Sequence, residues 1–508
     1  MLSRLTNLVR GKPPTNVDPD NAMDELLNMF DNEDDAAKEQ EAANEEEQED
    51  ENQHLVNPVE DEEVSVVEVE DFFERVSKMN IKDETRKGYN SSNRLFLLWL
   101  DEYHPECVAE FAKEALEEEY LCQKYGDIVK HQSKVVVAKA LELVTIANSM
   151  DSSPIIFETT TTSVFLNFLK YRANLRGNDF LSKSGAGGFR SAFRELHKQC
   201  GAQFDPKFES VLKELYKGLL RGHAEEKRQK GGRLAEGKDP MSFRLYKALC
   251  VWMILDGSKE AVFAHIFICL TWNLICRSKN TVNIHMNHVS WGSDAMIIKF
   301  AHTKTDVSGE DQSYARHVYA NPYQPEICVI CAFAKYLSCF PPKSDGMIFD
   351  QKSYKRFQKY LKNMCKINRE DIERMGYDID DIGVHSIRKG AATFCCSGTT
   401  DAPQIAAICN RAGWTMGKVK DVYLKYGAAG DQYVGRVVAG LPTQKASFAC
   451  SQPIFNNTVS AEDIDYVIAT FFPTFELKVT FKPVAVSCAA ALLYLFEYFD
   501  KSVGEKYV

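Results

Sequence analysis

From Thr85 onward, apolar residues recur at helical intervals, and the helices they predict fall into two groups. In TRKGYNSSNRLFLLWLDEY, Tyr89, Phe96, Trp99, Leu100 and Tyr103 share one face, with Arg86, Lys87 and Arg94 among the polar positions. KVVVAKALELVTIA, TTSVFLNFLKYRANLR, GFRSAFRELHKQC and FESVLKELYKGLLR continue the pattern, with aromatic stripes that suit a core better than a base-stacking platform. The polar stretch HAEEKRQKGGRLAEGKDPMSF, with Gly231, Gly232, Gly237 and Pro240, then reads as a linker. Beyond it MSFRLYKALCVWMIL and EAVFAHIFICLTWNLICR are strongly apolar helices, and alternation in NHVSW, DAMIIKFAHTKT and ARHVYANP predicts strands with a turn at DVSGEDQ. ICVICAFAKYLSCF and YKRFQKYLKNMCKI return to helix, REDIERMGYDIDDIG reads as an acidic loop, and GAAGDQYVGRVVAGLP as a loop, a short helix and a stop. The apolar run from Val484 to Phe496 is too short to span a bilayer and fits a buried helix.

Before Thr85 the pattern differs. Residues 18–71 hold few large apolar groups and cannot offset the entropy of ordering, so an acidic, disordered arm is expected over 1–71; MDELLNMF is a short amphipathic exception. This arm changes how the net charge of −11 is read, because it carries 23 acids against 4 bases and leaves 57 bases against 49 acids in the rest. The body is therefore basic, as a nucleic-acid partner requires. The arm itself is either a solvating tail or an internal mimic of DNA that lowers non-specific binding. Fifteen cysteines show no spaced framework and read as reduced thiols. Cys328 and Cys331 form a single C-x-x-C, better suited to packing at a helix start than to zinc.

The chemistry concentrates between His385 and Tyr423. If His385 opens a helix, its spacing from Arg388 puts imidazole and guanidinium on one face, where both reach the same anion. A planar fork and a titratable base converging on one point suit a phosphate. Trp414 follows a glycine, and Tyr423 lies in a basic, helical setting with Lys418, Lys420 and Lys425. Upstream, Arg277 ends an apolar helix and needs an anionic partner; the bland alternative is an ion pair with an acid such as Asp294 or Glu310. Lys304 sits near the tip of the predicted hairpin.

The ordered array Arg277, Lys304, His385, Arg388, Trp414 and Tyr423 resembles the tyrosine recombinases, and LTWNLICRSKN, FAHTKTD and RHVYANP resemble the recombinases of Crypton-type mobile elements. The resemblance covers about residues 80–440. It implies a mainly α fold with a small β-sheet: a helical, SAM-like core-binding domain over 72–222, a basic linker over 223–240, an α+β catalytic domain over 241–442, and a helical tail over 443–508 that serves oligomerisation. It also implies strand transfer through a 3′-phosphotyrosine, without metal or nucleotide cofactor. Tyr423 would be the nucleophile, Arg277 and Arg388 would hold the non-bridging oxygens, Lys304 would protonate the leaving 5′-oxygen, His385 would accept or position the tyrosine proton, and Trp414 would pack and donate its N–H. Double-stranded DNA is the implied partner, with a homo-oligomer (a tetramer on DNA), no membrane, no small-molecule substrate and the nucleus as location. Arg86, Lys87, Arg94, Lys217, Arg221, Lys227, Arg228, Lys230 and Arg233 are the expected phosphate contacts.

Several alternatives stay open. Lys299 competes with Lys304, and Tyr426 and Tyr433 compete with Tyr423. His302 reads as a hairpin or phosphate contact, and His285, His288 and His317 as non-catalytic residues of the sheet. Asn280 stands where many family members carry an acid. A type IB topoisomerase shares the chemistry, and a relative that binds DNA without cutting it shares the fold. No carboxylate cluster in a nuclease spacing and no phosphate-cradling G-x-x-x-x-G-K-[ST] loop are present, which argues against a metal nuclease or a helicase.

Overall fold

The computed structural model describes residues 81, 83–122, 130–203, 206–229, 238–300, 315–341, 343–398, 400–414, 427–474 and 480–503. They fall into two compact units, one within Gln48–Glu236 and the other within Gly237–Val508. The acidic arm expected over 1–71 lies outside the described residues. The architecture is mainly helical with one three-stranded sheet, as the sequence led us to expect.

The first unit is all-helical: α1 (Asp83–Tyr103), α2 (Glu110–Leu121), α3 (Lys134–Ile146), α4 (Thr162–Asn174), α5 (Lys183–Gln199) and α6 (Pro206–Gln229). Helix α1 packs against α3 and α5. The aromatic stripes form the core: the Phe96 ring lies 5.4, 4.8 and 5.2 Å from those of Phe165, Phe168 and Phe193. Asn93, polar by pattern, also faces inward, and its Nδ2 donates to the Ala192 carbonyl at 3.0 Å. That bond satisfies an amide whose burial alone would be costly. Helix α6 runs on to Gln229, seven residues into the stretch expected to be linker. Ala224, Glu225 and Glu226 sustain helix there, and Arg228 pairs with Glu225 one turn back at 2.8 Å.

The second unit begins with α7 (Phe243–Asp256) and α8 (Lys259–Asn273), each started by a serine cap: Ser242 accepts from the Leu245 N–H and Ser258 from the Ala261 N–H. Every residue of α8 from Ala261 to Asn273 is buried. A helix apolar all round belongs at the centre of a core, and α8 is enclosed by α7, by α10 (Val329–Cys339), by α11 (Ser353–Ile367) and by α13 (Val384–Ser397). After the short α9 (Ser278–Val282) come β1 (Val289–Trp291), β2 (Met296–Ile298) and β3 (Arg316–Val318), antiparallel in that order. The expected acidic loop instead holds α12 (Arg369–Arg374), whose Glu370 and Asp371 in the first turn and Arg374 in the last complement the helix dipole. Helices α14 (Ile405–Ala412), α15 (Ala428–Val438), α16 (Ala461–Phe471) and α17 (Lys482–Val503) complete the unit.

The tail does not stand apart. Phe481, Val484, Ala485, Cys488 and Ala489 are buried in the same core, with α17 laid against α10. The buried face of α17 is thus part of the core of the second unit. Among the described residues no helix is long and apolar enough to cross a membrane.

Candidate anion-binding site

Arg277 owes its position to a break in the chain. Helix α8 stops at Asn273, and Ile275 takes φ 48°, the one positive value at a non-glycine residue among those described. A β-branched residue there costs about 1–3 kcal/mol. The reversal makes Arg277 the N-cap of α9 rather than the last residue of a helix, and leaves its side chain half-buried. Thr281 locks the turn from below: its hydroxyl lies 3.0 Å from that of Thr271 and 3.2 Å from the Cys276 thiol.

Helix α13 carries the H-x-x-R pair. Its first turn is fixed by Ser386, whose hydroxyl accepts from the Gly383 N–H at 3.1 Å and whose carbonyl accepts from the Met241 N–H at 2.9 Å. One turn on, Gly390 lets the helix press against that segment, since a Cβ there would lie 1.9 Å from the Met241 carbonyl oxygen. His385 is exposed and Arg388 is 8% exposed. The Arg388 Nη2 donates to the Ala412 carbonyl, its guanidinium carbon lies 5.3 Å from the Trp414 ring centroid, and its Nε is buried without a partner.

Burial, and then repulsion from Arg277 and Arg316, bring the Arg388 guanidinium down to about 10 from its ordinary 12.5. Three guanidinium groups thus share one field. Among the described residues no carboxylate pairs with Arg277 or Arg388; Asp294, the acid considered as a structural partner for Arg277, pairs with Arg436 instead. Such a cluster is ready for an anion: it concentrates positive charge where water is largely excluded.

Behind it lies a saturated layer that the sequence reading did not identify. Arg411, at the end of α14, is fully buried and donates to Asp431 Oδ1 at 2.6 Å, to the Asn273 carbonyl at 2.9 and 3.0 Å, and to the His317 carbonyl at 2.8 Å. It thereby ties together the end of α8, strand β3 and α15. Its own carbonyl accepts from Arg316 Nε at 3.2 Å, and Arg316 stacks 4.6 Å from the Phe300 centroid. Burial alone would raise the Asp431 carboxyl, but Arg411 and two hydrogen bonds from His317 outweigh it and hold the group below its usual 3.8. Gly435 permits the contact between α15 and β3, where a Cβ would meet the His317 carbonyl at 2.4 Å. A charged residue inside a three-residue strand was the available clue to Arg316. Arg411 gave none, since an arginine before a helix-ending glycine reads as an exposed dipole partner.

Of the expected site residues, the structure sets Arg388 against Trp414 and within the electrostatic field of Arg277, and places His385 one turn from Arg388. Lys304, Tyr423, Tyr426 and His302 lie outside the described residues. The Tyr433 hydroxyl donates to the Asp401 carbonyl at 2.9 Å, a structural bond. His317 Nδ1 lies 3.0 Å from Asp431 and His285 Nε2 3.1 Å from the Asp345 carbonyl, both consistent with supporting roles. Lys299 is exposed at the end of β2, and Cys328 and Cys331 are buried at the start of α10. In the first unit Lys87, Lys217 and Arg221 are exposed, Arg86 and Arg94 are half-buried, and Arg228 is held by Glu225. Lys230, Arg233 and the side chain of Lys227 lie outside what is described.

No family model and no curated protein matches the chain. Solved structures resemble it in fold. A FLP recombinase–Holliday junction complex has TM-score 0.34 and 12% identity over 82% of this chain and 97% of that one. A Flpe–Holliday junction complex has TM-score 0.35 and 12% identity over 84% and 99%. The XerH site-specific recombinase bound to difH substrate in a pre-cleavage complex has TM-score 0.33 and 13% identity over 68% and 95%. At this level of likeness the functional reading rests on the residues themselves.

Proposed function

We propose that the protein cuts and rejoins DNA strands by tyrosine-recombinase chemistry, as the site-specific recombinase of a Crypton-type mobile element acting in the nucleus. The observation that supports this reading is that Arg277 and Arg388, from distant parts of the chain, share one cationic field in which neither pairs with a carboxylate among the described residues, with Arg388 against Trp414. A structural arginine is matched by an acid, as Arg411 is; a pair left unmatched suits a ligand that brings its own negative charge.

In this mechanism the two guanidinium groups hold the non-bridging oxygens of the scissile phosphodiester and stabilise the charge that grows at pentavalent phosphorus. Tyr423 attacks phosphorus, forming a 3′-phosphotyrosine as the bond to the 5′-oxygen breaks, and Lys304 delivers a proton to that oxygen. His385, exposed one turn before Arg388, accepts or positions the phenolic proton, which a phenol of pKa ~10 otherwise retains at pH 7. Because the covalent link conserves the ester, a second 5′-hydroxyl reverses the step on another strand. Exposed Lys87, Lys217 and Arg221 follow the duplex backbone in a salt-dependent way, and a tetramer on DNA brings two duplexes together.

Covalent trapping tests the proposal. A nicked suicide substrate incubated with the full chain is expected to give a denaturant-resistant protein–DNA adduct that disappears in Tyr423→Phe and in Arg388→Met. Tight binding without adduct would leave only a DNA-binding module. Relaxation of supercoiled plasmid without strand exchange would indicate a topoisomerase.

A further inference from the structure

Deep in the second unit, away from the arginines the mechanism uses, three ligating side chains converge. Cys250 on α7 and Cys269 on α8 place their sulfurs 3.9 Å apart. His265, one turn before Cys269, brings a ring nitrogen to the same point, so that all three donor atoms lie within 4.8 Å of one another. The Tyr246 hydroxyl, one turn before Cys250, lies 3.5 Å from the Cys269 sulfur. Cys250, Cys269 and Tyr246 are fully buried and His265 is 2% exposed.

We infer that Cys250, His265, Cys269 and Tyr246 form a structural site for a thiophilic d10 cation, with zinc(II) as its occupant. The distances fit. With Zn–S near 2.3 Å and Zn–N or Zn–O near 2.0 Å, a tetrahedral site separates its sulfurs by about 3.8 Å and sulfur from oxygen by about 3.5 Å. The histidine is also set for the task. Its Nε2 donates to the Glu326 backbone carbonyl at 2.7 Å, which fixes the tautomer and leaves the Nδ1 lone pair for the metal. An outer hydrogen bond of this kind is the usual orienting device for a ligating imidazole.

Charge balance supports zinc. Binding releases one proton from each thiol, and two thiolates neutralise the divalent cation, so that with a neutral imidazole and a neutral phenol the metal and its four ligands carry no net charge. The nearby pair Cys328 and Cys331 does not join the cluster. The site would clamp α7 to α8, the helix whose end turns into Arg277; its role is to hold the core, and it takes no part in the reaction. This inference does not depend on the recombinase reading.

Elemental analysis of the full chain, purified without chelator, is the direct test. About one zinc per chain is expected, falling at least tenfold in Cys269→Ser and unchanged in Cys331→Ser. If Cys269→Ser does not fold, exchange of the wild-type chain with cobalt(II) decides: the intense visible and near-ultraviolet bands of tetrahedral thiolate ligation are expected, and a copper(I) site would instead bind copper stoichiometrically and give no such bands. Metal-free protein that takes up neither zinc nor cobalt would overturn the inference. So would a native Cys250–Cys269 disulfide in the mass spectrum, or copper in place of zinc.

Discussion

Two buried arginines, Arg388 and Arg411, stand one layer apart in the same unit and are treated in opposite ways. Arg411 has a carboxylate and three backbone carbonyls around it, and its guanidinium joins three elements. Arg388 has one carbonyl, an aromatic ring, an unpartnered Nε and two other guanidinium groups for company. The first is arranged for stability and the second against it. The difference teaches that burial of a charge is not itself the functional signal; burial left uncompensated is.

The contrast can be broken most forcefully at Arg411. Arg411→Met removes the cationic partner of Asp431 and leaves a buried carboxylate with only its His317 hydrogen bonds, so we expect a loss of roughly 3–5 kcal/mol in urea unfolding, and Arg411→Lys, which lacks the fork, restores little of it. Arg388→Met should act in the opposite direction. Removing a desolvated guanidinium that has no acid among the described residues is expected to raise the stability of the DNA-free protein by about 1–3 kcal/mol, visible as a higher melting temperature, while covalent adduct formation is lost. A fall in stability there would mean that the arginine is structural.

The smallest effect concerns pH. Asp431 is held below its usual 3.8 in the fold, so its contribution to stability is complete above that value and disappears as pH falls through the lower folded value. Asp431→Asn should therefore flatten the acid limb of a plot of stability against pH below about 4, whereas Arg388→Met should leave that limb unchanged.

Most of this architecture was legible in the chain. Periodicity located α1, α8, α10 and α11, and Arg388 and Trp414, singled out in the chain, lie against each other in the fold. What escaped was non-local. Nothing near Arg411 announces that Asn273, His317 and Asp431 will surround it, and His265 and Cys269 look like any polar and thiol residues in an apolar run. Helix α12 was missed because its charges obscured a short amphipathic turn around Ile372, which is fully buried. The end of α6 was not visible because local helix formers extend it to Gln229, past the last apolar stripe.

Ile275 has a consequence for how the molecule fails. Its left-handed backbone is tolerated only while Leu274, Cys276 and Thr281 are packed tightly around it, and Arg277 depends on that same turn. Heat or denaturant that slackens this corner is expected to let the isoleucine relax to an ordinary conformation and to carry Arg277 out of the field of Arg388. On the proposed function, strand cleavage is therefore expected to fail at milder stress than cooperative melting.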